Sequence, residues 1–218
     1  MIPQFLKPHR TIPHTPWSAT HKWEFTPTRF LILCLGLLLF GLGDSLLIAS
    51  KLGNAPWSVL AQGLAMQLGI TIGLATLLVS AVVLSLWIPL REKPGLGTVM
   101  NVLVIAAAID LGLILFPEPK NLALRWLYVF LGIALVGIGS ALYITCALGS
   151  GPRDGWMTAL HRRTGAPVGW VRFGIEISVL TLGWLLGGTV GAGTALFALL
   201  VGYSIALAFG VVARLTSK

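Results

Sequence analysis

The chain has 218 residues, of which 56% are hydrophobic and only 10% charged, with a mean hydropathy of +0.89 and a formal net charge of +8. Soluble domains carry about 25% charged residues, and a chain this short has too much surface for its volume to hide so much apolar side chain from water. The composition excludes a soluble domain, a disordered chain, which needs low hydrophobicity and high charge, and a nucleic-acid-binding protein; it predicts an all-α, multi-pass membrane protein with one membrane domain.

In chain order, residues 1–29 read as a basic, Pro-rich arm, mostly disordered. They hold Pro3, Pro8, Pro13, Pro16 and Pro27, three of the four histidines, and Lys7, Arg10, Lys22 and Arg29. The irregular spacing of His9, His14 and His21 argues against a metal site. The apolar run that follows is about 20 residues, longer than the 7–15 or so of a secretory signal. Apolar runs at about 30–50, 70–90, 96–116, 126–147, 168–187 and 193–213 each approach the ~20 residues that cross ~30 Å of hydrocarbon. Six transmembrane helices are expected, with Trp23, Trp87, Trp126, Trp170 and Trp184 near span ends as an interfacial belt. The divisions are an arm (1–29), a first membrane unit (30–116), an outer linker (117–125), and a second unit with a short tail (126–218). Cys34 and Cys146 sit in apolar runs and read as small helix residues rather than a disulfide.

Charge orients the spans. With the N-terminus inside, inner segments hold 11 Lys and Arg residues against three outside, Lys51, Lys120 and Arg125, and Arg172 falls within a span. The positive-inside rule then puts both termini in the cytoplasm.

The sequence also repeats. Residues 36–111 align without gaps on 132–207, a shift of 96, with 22 identities in 76 positions. Eight identities are glycines, where chance predicts about one: Gly36/Gly132, Gly41/Gly137, Gly43/Gly139, Gly53/Gly149, Gly69/Gly165, Gly73/Gly169, Gly95/Gly191 and Gly97/Gly193. Each unit has three spans, an odd number, so the second is expected to be inverted relative to the first. Several secondary transporters are built this way; the alternative is that duplication produced a stable bundle and nothing more.

Matched Gly–Pro segments follow the first span of each unit, LGNAPWSVLAQGLAMQLG (52–69) and LGSGPRDGWMTALHRRTG (148–165). Pro56 and Pro152 suit the first turn of a helix, and Gly69 and Gly165 suit its end. The helix between is too short to span, so it is interfacial or re-entrant; if it dips inward, its N-terminal N–H groups favour an anion. In the second segment Arg153 and Asp154 lie at the helix start, where Asp also stabilises the helix dipole. Arg162 and Arg163 read as topology anchors. Gly183, Gly187 and Gly191, spaced by four, read as a close helix approach.

Asp44, Asp110, Arg172 and Glu176 fall within spans, where ionisable groups are costly and mark function by default. Arg172 and Glu176 are four apart on one helix face and pair with each other or face a polar cavity. Asp44 and Asp110 lack an obvious local partner. All four break the repeat, aligning with Thr76, Ser80, Ser140 and Ala206. Asn101, early in the third span, is a further polar candidate. No nucleophile motif, metal cluster or cofactor loop is visible, so no catalytic residue, metal or cofactor is expected.

GSGPRDG (149–155), the Arg172/Glu176 pair, GWLLGGTVGAGT (183–194), and PGLGT (94–98) with Asp110 resemble the YczE/YitT-type family of bacterial membrane proteins. The resemblance covers about residues 30–210. The family's first-unit motif, GxGPWDVL, reads GNAPWSVL here (53–60), with Ala55 and Ser58 in place of Gly and Asp. It implies a multi-pass protein of the bacterial cytoplasmic membrane and carries over no substrate and no functional residue.

The expectation is thus six transmembrane helices in two inverted three-helix repeats, each with a short interfacial or re-entrant helix. The functional reading is a small-molecule transporter or permease-like protein. Asp44, Asp110, Arg172 and Glu176 would line its cavity, with Arg153 and Asp154 near the cytoplasmic mouth and Asp110 as first choice for a proton-responsive group. The alternatives are an accessory or scaffold protein supporting a partner's assembly or export, and a substrate-binding subunit with a separate motor. The expected partners are the lipid bilayer and a small-molecule or ion substrate, with any protein partner or homo-oligomer left open.

Overall fold

The computed structural model describes residues 11–216; the first ten residues, with Lys7, His9 and Arg10, and the last two, with Lys218, lie outside the described residues. The described helices are α1 (Pro27–Ser50), α2 (Pro56–Leu68), α3 (Ile72–Ser85), the one-turn α4 (Trp87–Leu90), α5 (Leu96–Leu115), α6 (Leu122–Thr145), α7 (Pro152–Thr164), α8 (Val168–Leu185) and α9 (Ala192–Thr216). Six stretches are long and apolar enough to cross a membrane: α1, α3 with α4, α5, α6, α8 and α9. This all-helical, six-span architecture is the expected one. The short helices α2 and α7 start on Pro56 and Pro152 and stop at Gly69 and Gly165, whose φ of 66° and 69° are the left-handed values that glycine tolerates best.

The centre is an antiparallel crossing of α1 and α6 on glycines. A Cβ on Gly43 would stand 2.7 Å from the Gly132 carbonyl oxygen, and one on Gly132 2.7 Å from that of Gly43. Two turns away, a Cβ on Gly36 would stand 2.9 Å from the Gly139 oxygen. The backbones therefore touch, which is how helices gain packing energy where lipid removes the hydrophobic drive between them. The 96-residue shift carries the Gly36–Gly139 contact onto Gly132–Gly43, with the partners exchanged.

The same exchange recurs at the helix ends. Gly97 N donates to Leu148 O (2.9 Å), tying the start of α5 to the end of α6; Gly193 N donates to Leu52 O (2.8 Å), tying the start of α9 to the end of α1. Both turns pass through a glycine at positive φ, Gly53 at 117° and Gly149 at 111°. Further in, Gly41 packs on α5 at Ala108, and Gly137 packs on α9 at Ser204, again 96 residues on.

Residues 11–26 correct the expectation of a mostly disordered arm: they form an ordered strap over one end of the bundle. The buried Arg29 is its hub, donating from Nε to Trp17 O (2.6 Å) and from Nη2 to Ser18 O (3.2 Å), and pairing with Glu24 at 2.9 Å. Trp17 Nε1 and Ser18 Oγ bind Thr145, Ala19 N donates to Cys146 O, and Leu96 N donates to Lys22 O. The strap thus joins the starts of α1 and α5 to the end of α6. Hydrogen bonds from Thr20, and then Arg29, pull the Glu24 carboxyl down to about 2. That contribution is complete above the ordinary carboxylate range and is lost as pH falls toward 2.

Two further expectations change. Trp87 is not in an interfacial belt but buried, with its indole N–H on Pro152 O (2.9 Å), because Gly155 leaves room for the ring. Of the glycines spaced by four, only Gly183 packs helix on helix, against α2 at Leu60. Gly187 lies beyond the end of α8 at φ 100°, and Gly191 in the turn before α9, because spacing alone does not fix where a helix stops.

Two outcomes follow for stability. Gly43→Ala should lower the thermal midpoint of the purified protein, an overpacking cost of about 1–3 kcal/mol, whereas Gly174→Ala, which meets open space, should leave it unchanged. Arg29→Met should release the strap, seen as much faster hydrogen exchange at residues 15–24 with slow exchange retained in α1 and α6.

Candidate functional site

The N-terminal turns of α2 and α7 meet near the middle of the bundle. Trp57 and Arg153 hold equivalent positions under the 96-residue shift, and they touch: the Arg153 guanidinium lies 5.0 Å from the Trp57 ring centre. Trp156 closes on Trp57 edge-on at 6.5 Å. The two helix starts face each other because the turns through Gly53 and Gly149 bring the chain back into the bundle after α1 and α6. α2 is buried along most of its length, while α7 buries mainly Pro152, Gly155 and Ala159.

The predicted residues divide into two groups. Asp44, 1% exposed, accepts from Ser58 Oγ (3.0 Å) at the first turn of α2, and its Oδ1 has no hydrogen-bond partner among the described residues. Asp154 accepts from the buried Tyr143 hydroxyl (3.2 Å). Arg153 interacts electrostatically with both Asp44 and Asp154, yet makes no hydrogen bond to a described residue. Arg172 Nε donates to Glu176 Oε1 (2.8 Å), the helix-face pair expected from their spacing. That pair lines two clefts. One is a small space bounded by Trp57, Arg153, Asp154, Met157 and Ile175. The other, of about 250 Å³, is bounded by Pro56 and by Phe197, Ala198, Val201 and Gly202 of α9. Five of the six candidates thus come together around the starts of α2 and α7.

Asp110 stands apart. It accepts from Thr71 Oγ1 (2.6 Å) and from Gly73 N (2.7 Å), and so fastens the start of α3 to α5. It does not line either cleft. The expected topology anchors have partners too: Arg162 pairs with Glu92, and Arg163 Nη2 donates to Pro89 O (3.0 Å), so they hold α4 and the chain just after it against α7.

Near the clefts the reciprocity of the two units fails. In the first unit Gly73 packs tightly on Ala106 and Asp110, so α3 lies along α5. Their counterparts Gly169 and Gly202 meet nothing, and α8 packs on α2 and α7 rather than along α9. The larger cleft is the gap this leaves. Sequence reasoning missed Ser58, Tyr143 and the gap; the one available signal was that Asp110 aligns with Ala206 and so has no acidic counterpart in the second unit.

The fold and site define a multi-pass helical membrane protein with charged side chains gathered where two short helices start. Residues 27–209 match the model of a family of unknown function, DUF6198, and the chain belongs to that family. It is 42% identical over 206 residues to an uncharacterized protein of Haemophilus influenzae, covering 94% of each chain. It is 32% identical to the uncharacterized membrane protein YczE of Bacillus subtilis, over 80% of this chain and 82% of that one, so the YczE-type resemblance read from the motifs holds. The uncharacterized protein YyaS of the same organism is 28% identical over 85% of this chain and 94% of its own. No solved structure matches.

Asp110→Asn should destabilise the protein by about 2 kcal/mol, the usual worth of hydrogen bonds to a charged group, read as a lower melting midpoint. An unchanged midpoint would show that the Thr71 and Gly73 bonds do not hold α3.

Proposed function

We propose that this protein is a small-molecule transporter rather than an enzyme, built from two inverted repeats, with its site where α2 and α7 meet. The observation that carries this reading is the unequal engagement of equivalent helices: α3 lies on α5, while α8 has left α9 and rests on α2. In a repeat protein the two arrangements are exchangeable. A second state with α8 on α9 and α3 drawn away from α5 repeats the helix packing in the opposite units, with the Asp110 clamp on α3 released, and the site then opens by the other route. Ionisable groups within spans beside such a gap are what a substrate or coupling-ion path requires.

The membrane in question is the bacterial cytoplasmic membrane, with both termini inside. Supporting that orientation, the strap at the start of α1 packs by Trp17 against the last turns of α9, and the basic residues of the sequence crowd the segments assigned to the same side.

Movement of α8 is testable directly. In a protein with Cys34 and Cys146 replaced by Ala, the pair Gly169→Cys and Gly202→Cys should cross-link in liposomes, because both positions are open now and would meet on closure. Absence of cross-linking under every condition would mean a fixed α8 and would turn the reading to an accessory or scaffold role.

A further inference from the structure

We propose that the cleft between α8 and α9 binds an amphiphile with an anionic headgroup, a carboxylate or a phosphate, held by Arg153 and Arg172 with its apolar tail along α9. This names the substrate class of the site proposed above and rests on that reading.

The polar end follows from which groups already have partners. Both carboxylates at the clefts accept from a protein donor, Asp154 from Tyr143 and Glu176 from Arg172; Asp44, which lines neither cleft, accepts from Ser58 through one oxygen. The arginines are the reverse case. Arg153, half-buried over Trp57, donates to no described residue, and Arg172 uses only Nε, leaving both terminal nitrogens without a described partner. Arg172 is exposed, but for the half-buried Arg153 a guanidinium partly withdrawn from water without hydrogen bonds is costly. Its planar fork fits a carboxylate or phosphate better than any other common group.

The apolar end follows from the failed reciprocity. Ala106, the counterpart of Gly202, is buried beneath Gly73. Gly202 and Ala198 are instead exposed on a membrane-spanning helix, beside Phe197 and Val201. The groove of about 250 Å³ therefore opens sideways from the bundle with apolar walls and the Arg172–Glu176 pair at its polar end. An ion without a tail would leave those walls uncovered, and an uncharged tail would leave Arg153 and the terminal nitrogens of Arg172 without a described acceptor. A lipid headgroup and a soluble amphiphile share the chemistry, and the tail-free probe below separates binding of the headgroup alone from binding of the amphiphile.

The test is equilibrium binding to the full chain purified in a neutral maltoside detergent, with dodecyl phosphate, dodecyltrimethylammonium and inorganic phosphate as probes. Dodecyl phosphate should bind about tenfold or more tightly than either of the others. Arg172→Gln should weaken it by about tenfold, the scale of a lost charged hydrogen bond. Gly202→Leu, at a position with open space, should weaken dodecyl phosphate but not inorganic phosphate. Arg153→Gln tests the second arm; should it fail to fold, the exposed Arg172 and Gly202 positions still decide. Equal affinity for the cationic amphiphile, or unchanged affinity in Arg172→Gln, would overturn the proposal, and binding of inorganic phosphate as tight as dodecyl phosphate would remove the tail. Anion binding without cross-linking of α8 to α9 would leave this site standing and remove transport; cross-linking without anion binding would do the opposite.

Discussion

Everything in this molecule hangs on the backbone contact between α1 and α6. Inside a bilayer, apolar side chains gain little by leaving lipid for protein, so helices associate through close packing and hydrogen bonds. Gly36, Gly43, Gly132 and Gly139 allow that packing with no side chain between the two backbones. Once α1 and α6 cross antiparallel, the end of each lies beside the start of the other unit's last span. The hydrogen bonds Gly97–Leu148 and Gly193–Leu52 then follow from position alone. The turns through Gly53 and Gly149 return the chain toward the middle, and this is why α2 and α7 start face to face.

That symmetry ends where the charges begin. Thr76 and Ser80 are buried on α3, while their counterparts Arg172 and Glu176 face clefts on α8. A helix carrying an ion pair cannot bury that face against apolar α9 as cheaply as a helix carrying two hydroxyls, because both ions would lose solvation. Asp110 acts in the other direction: it locks α3 to α5 through Thr71 and Gly73, and Ala206 offers α9 no such lock on α8. The splayed α8 is therefore written in side chains, one clamp present in the first unit and one ion pair present in the second.

The sequence was informative wherever composition or period carried the signal. The spans follow from hydropathy, the ends of α2 and α7 from Pro and Gly, and the crossing glycines were among the matched pairs even though their partners across the crossing were not identified. It was less informative where backbone groups do the binding. The strap looked disordered because Arg29 holds it through carbonyl oxygens, which leave no mark on side-chain composition. Trp87 looked like an interfacial anchor because its partner is a backbone carbonyl 65 residues away. Asp110 was grouped with Asp44 because both are carboxylates in spans and both meet a helix start; what separates them is that the half-buried Asp110 ties α3 to α5, whereas Asp44 is buried beside the charge of Arg153.

The distribution of ionisable groups bears on function more than their number does. A duplicated bundle held together only by packing would tolerate the same residues in both units, since each contact has its exchanged counterpart. Here the buried and cleft-lining charges Asp44, Arg153, Asp154, Arg172 and Glu176 all lack a charged counterpart, and they gather where the reciprocal packing fails. Burying charge in a membrane protein is costly, and concentrating it beside an unfilled gap forgoes packing energy as well. Neither cost stabilises the crossing, the strap or the helix ends, which are complete without it. The charges therefore belong to the part of the molecule that has to meet something other than itself.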